Sequence, residues 1–280
     1  MNLCISYWSV RDGLSNERPV EEAIGEAKAA GFDGIELACS TGGVLAVDTD
    51  QPTVNSYRKM AETHEIKLET LACGLSWGCS PTDPNPEIRE KSIQLHAAAL
   101  ERAAWLGAKA MLMVPGAVKI PWDVHYGPAK YDDAVKWARE AAKRLGAVAE
   151  KAGVDLCLEN VWNGMFYSPV ELRDFIDSIG SARVGVYFDV GNVLGYHQHP
   201  PHWIEILGKR IKRVHVKDFK HSIGNITGFC DLLAGDVPWA ATMAALRRIG
   251  YDKTLTAEMM PPDETLLKRT HDAMKKIVKM

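Results

Sequence analysis

The stretch VYFDVGN, residues 186–192, has the pattern of a buried strand that ends on an acid. Its first three residues favour a β-sheet, whereas Asp189 is costly to bury without a partner. The glycine and asparagine that follow open a turn, and an aspartate in such a turn often accepts hydrogen bonds from its own backbone. Asp189 is therefore either a turn former or a functional carboxylate, and the ends of the other strands help to distinguish the two.

Apolar runs of this kind alternate with helical segments along the whole chain. The runs that predict strands are LCIS (3–6), GIEL (34–37), IKLETLA (66–72), AMLMV (110–114), VDLCLE (154–159), VGVYFD (184–189), IKRVHVK (211–217) and TLTAE (254–258). Segments with apolar residues at three-to-four spacing and a closing glycine predict helices, for example over 20–31, 86–107, 131–153 and 237–250.

This alternation predicts an α/β fold. Eight strand–helix pairs share 280 residues, and no linker rich in proline, glycine or serine divides them. We therefore predict a single (β/α)8 TIM-barrel domain over residues 1–280. An open doubly wound sheet is the alternative, but no GxGxxG motif follows the first strand.

Composition narrows the class of function. The net charge of −3 shows no basic excess that would indicate nucleic acid or an anionic membrane as a partner. The six cysteines form no CxxC motif, so we expect reduced thiols rather than disulfides or a zinc knuckle. The N-terminus lacks the pattern of a signal peptide, and no apolar run is long enough to span a membrane. We expect a cytoplasmic protein that acts on a small molecule.

Four consecutive predicted strands end with residue types that bind metals. The fifth ends at Glu159, the sixth at Asp189 and the eighth at Glu258, and the seventh carries His215. Singly, these side chains are explained as well by a turn, a core histidine or a surface charge. Together, three carboxylates at one rim repel each other unless a cation is present. The set predicts a divalent metal site, which suits Mn²⁺ or Mg²⁺, with Co²⁺ and Zn²⁺ as alternatives.

Several strings of the sequence resemble the xylose isomerase-like TIM-barrel superfamily, and within it the sugar-phosphate isomerase/epimerase branch, which includes ketose 3-epimerases and L-ribulose-5-phosphate 3-epimerases. These strings are LENVWN (158–163), YFDVGN (187–192), VHVKD (214–218), LTAEM (255–259), GFDGIEL (31–37) and GDVPW (235–239).

The resemblance implies that Glu159, Asp189, His215 and Glu258 bind one divalent metal, usually Mn²⁺. It also implies that Glu159 and Glu258 are acid/base catalysts on opposite faces of a sugar or sugar phosphate. The implied reaction is 3-epimerisation of a ketose by proton transfer through a metal-stabilised enediolate. Homodimers or homotetramers are common among the relatives.

The chain departs from the free-ketohexose 3-epimerases at two positions. Met165 replaces a glutamate that contacts substrate in those enzymes, and Asn192 replaces a histidine. The DxGN form looks more like the epimerases of phosphorylated pentuloses, and we expect Asn192 to contact substrate. A phosphate would be met by Lys217, Lys220, His221 or Ser222 in the seventh loop, near the usual anion site of such barrels; the alternative is that Lys217 and Lys220 are solvated.

Other loops supply further candidates. The stretch GLSWG (74–78) matches the GxSxG nucleophile elbow of hydrolases, but a proline-rich segment follows it instead of a helix. We therefore expect Trp77 to cover the sugar. His199, in the histidine-rich loop after the sixth strand, is a candidate substrate contact. Glu36, at the end of the second strand, is either a supporting acid or a buried structural carboxylate.

Three other functions fit the same residues. An aldose–ketose isomerase, such as a hydroxypyruvate-type isomerase, moves the proton between neighbouring carbons, and a dehydratase of inososes or 3-dehydroshikimate expels water. A non-catalytic sugar-binding or accessory subunit is the third, although binding alone needs no paired acid and base. Endonuclease IV is disfavoured, because Asn192 replaces one of its metal-binding histidines and the chain is acidic.

Overall fold

The computed structural model describes residues 1–123 and 126–280, and within them eight parallel strands close into a barrel. The barrel strands are β1 (Asn2–Ser6), β2 (Gly34–Cys39), β3 (Thr70–Cys73), β4 (Ala110–Met113), β5 (Asp155–Glu159), β6 (Val184–Asp189), β7 (Ile211–Val216) and β10 (Thr254–Ala257). The short strands β8 (Asp218–Phe219) and β9 (Phe229–Cys230) form a separate antiparallel pair after β7. The closed parallel barrel confirms the predicted (β/α)8 class.

Helices surround the barrel between successive strands. They are α1 (Val20–Ala30), α2 (Gln51–Thr63), α3 (Pro86–Leu106), α4 (Tyr131–Ala152), α5 (Pro169–Ile179), α6 (Val190–Gly195), α7 (Pro200–Leu207), α8 (Trp239–Arg248) and α9 (Leu266–Ile277). The sequence explains their ends. Helix α3, for example, begins where the Asn85 side chain accepts a hydrogen bond from the backbone of Glu87, and it ends at Gly107, whose φ is 84°.

Two elements differ from the sequence prediction. The third barrel strand begins at Thr70 instead of Ile66, because the residues before it pair with β2 through a single isolated bridge, from Lys67 to Gly34, and not through a continuous ladder. The apolar pattern there reflects burial of Ile66 and Leu68 in the core. The β8–β9 pair was not predicted, since its strands have only two residues each.

The strands are buried on both faces, which is typical of a parallel barrel. Inside the barrel, Ala110, Leu112, Cys157 and Tyr187 form a small cluster, and Trp8 packs against it. Trp8 lies in a short 3-10 helix (Tyr7–Ser9) that directly follows β1. The barrel interior thus ends in an aromatic side chain at the carboxyl end of the strands.

All six cysteines are free thiols in the structure. In the part of the chain that the structure describes, the helices are too short or too polar to cross a membrane.

Candidate metal centre and substrate cavity

Four side chains at the carboxyl ends of neighbouring strands converge on one point. Glu159 ends β5, Asp189 ends β6, His215 is the penultimate residue of β7 and Glu258 directly follows β10. One potential ligand atom from each lies within 4.8 Å of the others, and all four residues are buried. The barrel order β10–β7–β6–β5 brings them together, and it places the two glutamates at opposite ends of the arc.

The two oxygens of Asp189 have different partners. Oδ1 accepts a hydrogen bond of 2.8 Å from the backbone N–H of Asn192 and so caps the short helix α6. Oδ2 lies 3.2 Å from Nζ of Lys217 and has no hydrogen-bond partner. The carboxylate thus forms the turn with one oxygen and faces the site with the other.

The tip of β6 is tied to the tip of β5 by amide side chains. Asn160 donates to the carbonyl of Asp189 over 2.8 Å and accepts from its N–H over 2.9 Å. Asn192 in turn donates from Nδ2 to the carbonyl of Asn160 over 2.9 Å. These bonds fix the backbone that carries Glu159 and Asp189.

The surroundings of His215 orient its ring. Nε2 lies 2.7 Å from Oε1 of Glu36, and Oε2 of Glu36 accepts a hydrogen bond of 2.5 Å from the hydroxyl of Tyr187. Because the Glu36 carboxylate accepts, we assign the Nε2 proton to this hydrogen bond. Nδ1 then points toward Glu258 Oε2 at 3.0 Å and Glu159 Oε1 at 3.5 Å.

Three buried atoms in this group have no hydrogen-bond partner: Oε1 of Glu159, Oδ2 of Asp189 and Nδ1 of His215. Carboxylate oxygens and an imidazole nitrogen at these separations repel each other unless a proton or a cation lies between them. Unpaired buried polar atoms are uncommon in native proteins. These donor atoms therefore fit a divalent metal ion, with the proton of Nε2 held by Glu36 as in many metal-bound histidines.

Burial and neighbouring charges shift the pKa values of the two glutamates in opposite directions. Burial raises the pKa of Glu159 to about 7. Burial also acts to raise the pKa of Glu258, but the positive charge of Lys217 is the largest of the opposing effects, which lower that pKa to about 2. Lys217 is close enough to do so, since its Nζ lies 3.0 Å from Oε2 of Glu258. Two carboxyl groups with separated pKa values are typical of acid/base pairs.

A cavity of about 850 Å³ opens above this group. Five of the predicted site residues line it: Glu159, Glu258, Asn192, Lys217 and Trp77. Asp189 and His215 are fully buried and are not among the lining residues.

Other candidates lie elsewhere. His199 precedes helix α7, where its ring packs edge-on against His202 at 4.4 Å, and it does not line the cavity. Lys220, His221 and Ser222 are exposed and also lie outside the cavity lining, so Lys217 has none of the expected phosphate partners beside it there. Met165 is buried.

The serine of the GxSxG match has a structural role. Ser76 is buried, donates a 2.6 Å hydrogen bond to the carbonyl of Val114 and lies 3.1 Å from Nε2 of His96. It belongs to a 3-10 helix (Leu75–Trp77), not to the start of an α-helix, and it does not line the cavity. These contacts anchor the loop that carries Trp77.

Four aromatic residues that line the cavity were not identified from the sequence: Trp8, Trp122, Trp162 and Phe229. Trp8 directly follows β1, and that position after a predicted strand is a signal that could have identified it. Trp122 lies in the long segment between β4 and α4, where no periodicity marks it. Its ring meets that of Trp77 edge-on at 5.0 Å.

Comparison with known proteins identifies a family and a related enzyme that have the same barrel fold. A family model described as a xylose isomerase-like TIM barrel matches residues 24–277. The D-psicose 3-epimerase of Ruminiclostridium cellulolyticum is 25% identical over 233 residues, which cover 81% of this chain and 74% of that protein.

Solved structures show the same fold at lower identity. A D-tagatose 3-epimerase-like protein superposes with a TM-score of 0.81 at 17% identity, covering 100% of this chain and 97% of the other. A 3-keto-D-glucoside 4-epimerase from E. coli superposes with a TM-score of 0.79 at 15% identity, covering 100% of both chains.

Proposed function

The chain belongs to the xylose isomerase-like TIM-barrel family, and from this premise we propose that it is a divalent-metal-dependent sugar isomerase or epimerase, with ketose 3-epimerisation as the favoured reaction. The observation that carries the proposal is the placement of Glu159 and Glu258. They lie at opposite ends of the arc β5–β6–β7–β10, with Asp189 and His215 between them, and both line the cavity.

The metal would be held by Glu159, Asp189, Nδ1 of His215 and Glu258, the side chains whose buried donor atoms converge. When bound, a divalent ion supplies Lewis-acid stabilisation of the negative charge that develops on the substrate oxygens. Three carboxylates and one imidazole favour Mn²⁺, with Mg²⁺, Co²⁺ and Zn²⁺ as alternatives.

The two glutamates would transfer the proton. One removes it from the carbon next to the sugar carbonyl, and the other delivers a proton to the opposite face of the same carbon. Their positions on β5 and β10 allow approach from two sides of a substrate in the cavity. Because the reaction runs in both directions, each glutamate serves as base in one direction and as acid in the other.

Neighbouring side chains would hold this pair in place. Glu36 fixes the ring of His215 through Nε2, and Lys217 offsets the charge of Glu258 and Asp189 from within the site. Asn192 and Trp77 are proposed to contact the sugar, since both line the cavity. The role of His199 stays a prediction, and its position outside the lining gives it no support.

The experiment that tests the proposal is solvent hydrogen exchange. Protein stripped of metal and then supplied with Mn²⁺ is incubated in D₂O with D-psicose, D-fructose and D-tagatose, and the sugars are analysed by NMR and mass spectrometry. We expect deuterium at the carbon next to the carbonyl, an epimeric product of otherwise unchanged mass, and no exchange without metal. Full activity after exhaustive chelation would refute the proposal that the reaction requires a metal ion. A product lighter than the substrate by one water would indicate a dehydratase.

A further inference from the structure

Five aromatic side chains of the described residues line the cavity, and three of them lie on the half that faces away from the metal ligands, whereas Trp162 and Phe229 lie on the side of the metal ligands. The metal ligands come from β5, β6, β7 and β10, whereas Trp8, Trp77 and Trp122 follow β1, β3 and β4 on the other side of the barrel. Because the strands form a closed ring, these two halves of the rim face each other across the cavity.

The contact between Trp77 and Trp122 and the backbone of Gly74, which lies beside Trp8 and Trp77, link the three indoles into one surface. Trp77 and Trp122 meet edge-on with ring centroids 5.0 Å apart. The backbone of Gly74 lies beside both Trp8 and Trp77, since a methyl group there would lie 3.4 Å from Cζ2 of Trp8 and 3.7 Å from Cδ1 of Trp77. Trp8 rests on the cluster inside the barrel and so forms the base of this surface.

The cavity is larger than a free ketose requires. Drug-sized ligands occupy pockets of about 300–1,000 Å³, and a ketohexose is smaller than such ligands. At about 850 Å³, the cavity leaves room for a second ring beside a sugar placed on the metal ligands.

The lining outside the metal site offers little charge. The charged side chains of the whole cavity lining are Glu159, Lys217, Asp218, Glu258 and Lys91, and the first and fourth of these belong to the metal site. Lys217 is paired with Asp189 and Glu258. The carboxylate of Asp218 accepts three hydrogen bonds from backbone N–H groups between β7 and α8 and one from the indole N–H of Trp239. This leaves Lys91 as the charged residue of the aromatic half, which is a poor match for a phosphate, since phosphate sites usually combine several donors.

The mouth of the cavity is apolar as well. Leu14, Trp122, Ile226 and Met260 line it and are between 45% and 70% exposed. Exposed apolar side chains that cluster at one site usually mark a binding surface. The aliphatic side chains among them offer no hydrogen bond to a sugar hydroxyl, so they fit an apolar group better than a second sugar.

We propose that the substrate is an α-hydroxy ketone sugar that carries an aromatic substituent, and that Trp8, Trp77 and Trp122 bind this substituent while the sugar lies on the metal ligands. The inference rests on the proposed proton transfer and specifies its substrate.

The test compares matched probes on the Mn²⁺-loaded protein. Deuterium exchange is measured for methyl 3-keto-β-D-glucopyranoside, phenyl 3-keto-β-D-glucopyranoside and D-fructose. We expect the phenyl glycoside to have a KM at least about tenfold lower than the methyl glycoside at similar kcat, because the added ring removes apolar surface from water. Equal KM values for the two glycosides would overturn the inference and leave the proposed proton transfer standing.

Two variants test whether the aromatic surface causes the preference for the phenyl glycoside. Trp122→Ala is expected to reduce the phenyl-over-methyl preference to about threefold or less. Trp105→Ala, which removes an indole of α3 that stacks under Arg102 and does not line the cavity, should keep the full preference. An unchanged preference in Trp122→Ala would contradict the assignment of the aromatic surface.

A binding measurement separates this inference from the proposed reaction. Phenyl and methyl β-D-glucopyranoside have no ketone and cannot react, so calorimetry with these probes reports on the cavity alone. We expect tighter binding of the phenyl glucoside in the wild type but not in Trp122→Ala. If no keto sugar exchanges deuterium while this preference is present, the proposed reaction fails and the aromatic site stands. Equal binding of both glucosides would refute the site and leave the apolar mouth as a surface for another chain.

Discussion

Nε2 of His215 lies 2.7 Å from Oε1 of Glu36, and this contact determines which ring nitrogen faces the three carboxylates. Both side chains are fully buried, and the second oxygen of Glu36 is held by Tyr187. Glu36 thus connects β2, on the aromatic side of the barrel, to the metal ligands on the opposite side. A histidine ligand that is oriented in this way binds a metal through a defined nitrogen and with increased basicity.

Substitution Glu36→Gln should weaken metal binding without removing a ligand. We expect Mn²⁺ affinity, measured by calorimetry, to fall about 10–100-fold, as is usual when the partner of a metal-bound histidine is changed. Glu69→Gln, which alters a carboxylate immediately before β3 at the other end of the barrel, is the matched control and should keep wild-type affinity. Equal affinities in Glu36→Gln and the wild type would show that the Glu36 contact does not orient a ligand.

Lys217 competes with a cation for the same carboxylates. Its Nζ lies 3.0 Å from Glu258 and 3.2 Å from Asp189, with a largely buried side chain. Lys217→Met should lower the free energy of unfolding of the metal-free protein by about 3 kcal/mol, because it leaves buried carboxylates unpaired. The same variant should bind Mn²⁺ more tightly and gain more in Tm from Mn²⁺ than the wild type does.

Lys212→Met provides the comparison, since Lys212 is also on β7 and pairs with Asp155 at 3.2 Å, away from the metal ligands. It should lose stability without any change in Mn²⁺ affinity. Weaker Mn²⁺ binding in Lys217→Met would mean that the ammonium group supports the metal rather than competing with it.

The strand tips could be predicted from sequence because each depends on local information. An apolar run that stops on Glu159, Asp189 or Glu258 indicates a buried strand with an acid at its end, and the barrel order then brings the ends together. The barrel fold could be predicted from the alternation of short apolar runs with helical segments along the chain. The sequence also identified Glu36, although not its contact with His215, which joins residues 179 positions apart.

The loops were harder to predict because their side chains have no periodic pattern that fixes their direction. Phosphate binding by Lys217 stays a prediction, and the sequence did not reveal that its ammonium group is paired with Asp189 and Glu258. His199 lies near His202 at the start of α7, outside the cavity lining. Trp122 lines the cavity and its ring contacts that of Trp77, which links the loops after β3 and β4 that are far apart in the sequence pattern.

The buried imidazole of His96 predicts a pH-dependent stability. Burial lowers the pKa of His96 from 6.5 to about 4, so the folded protein keeps this ring neutral where the unfolded chain is protonated. The stability that His96 contributes is complete above about pH 6.5 and is lost as the pH falls through about 4, amounting to about 3 kcal/mol. Urea unfolding of metal-free protein at pH 7 and pH 4 should therefore show a smaller loss of stability in His96→Gln than in the wild type. Equal losses would mean that His96 is protonated in the folded state.

Glu258→Gln separates proton transfer from metal binding. The amide oxygen of glutamine keeps a donor atom in the site, but the side chain can no longer accept a proton. We expect kcat for epimerisation to fall about 10²–10⁴-fold at saturating Mn²⁺, the range typical of a lost acid/base catalyst. Glu205→Gln, which changes an exposed glutamate paired with Arg248, should keep wild-type kcat. If Glu258→Gln retained full turnover with metal bound, as measured by metal analysis of the assayed protein, the two-glutamate mechanism would be wrong.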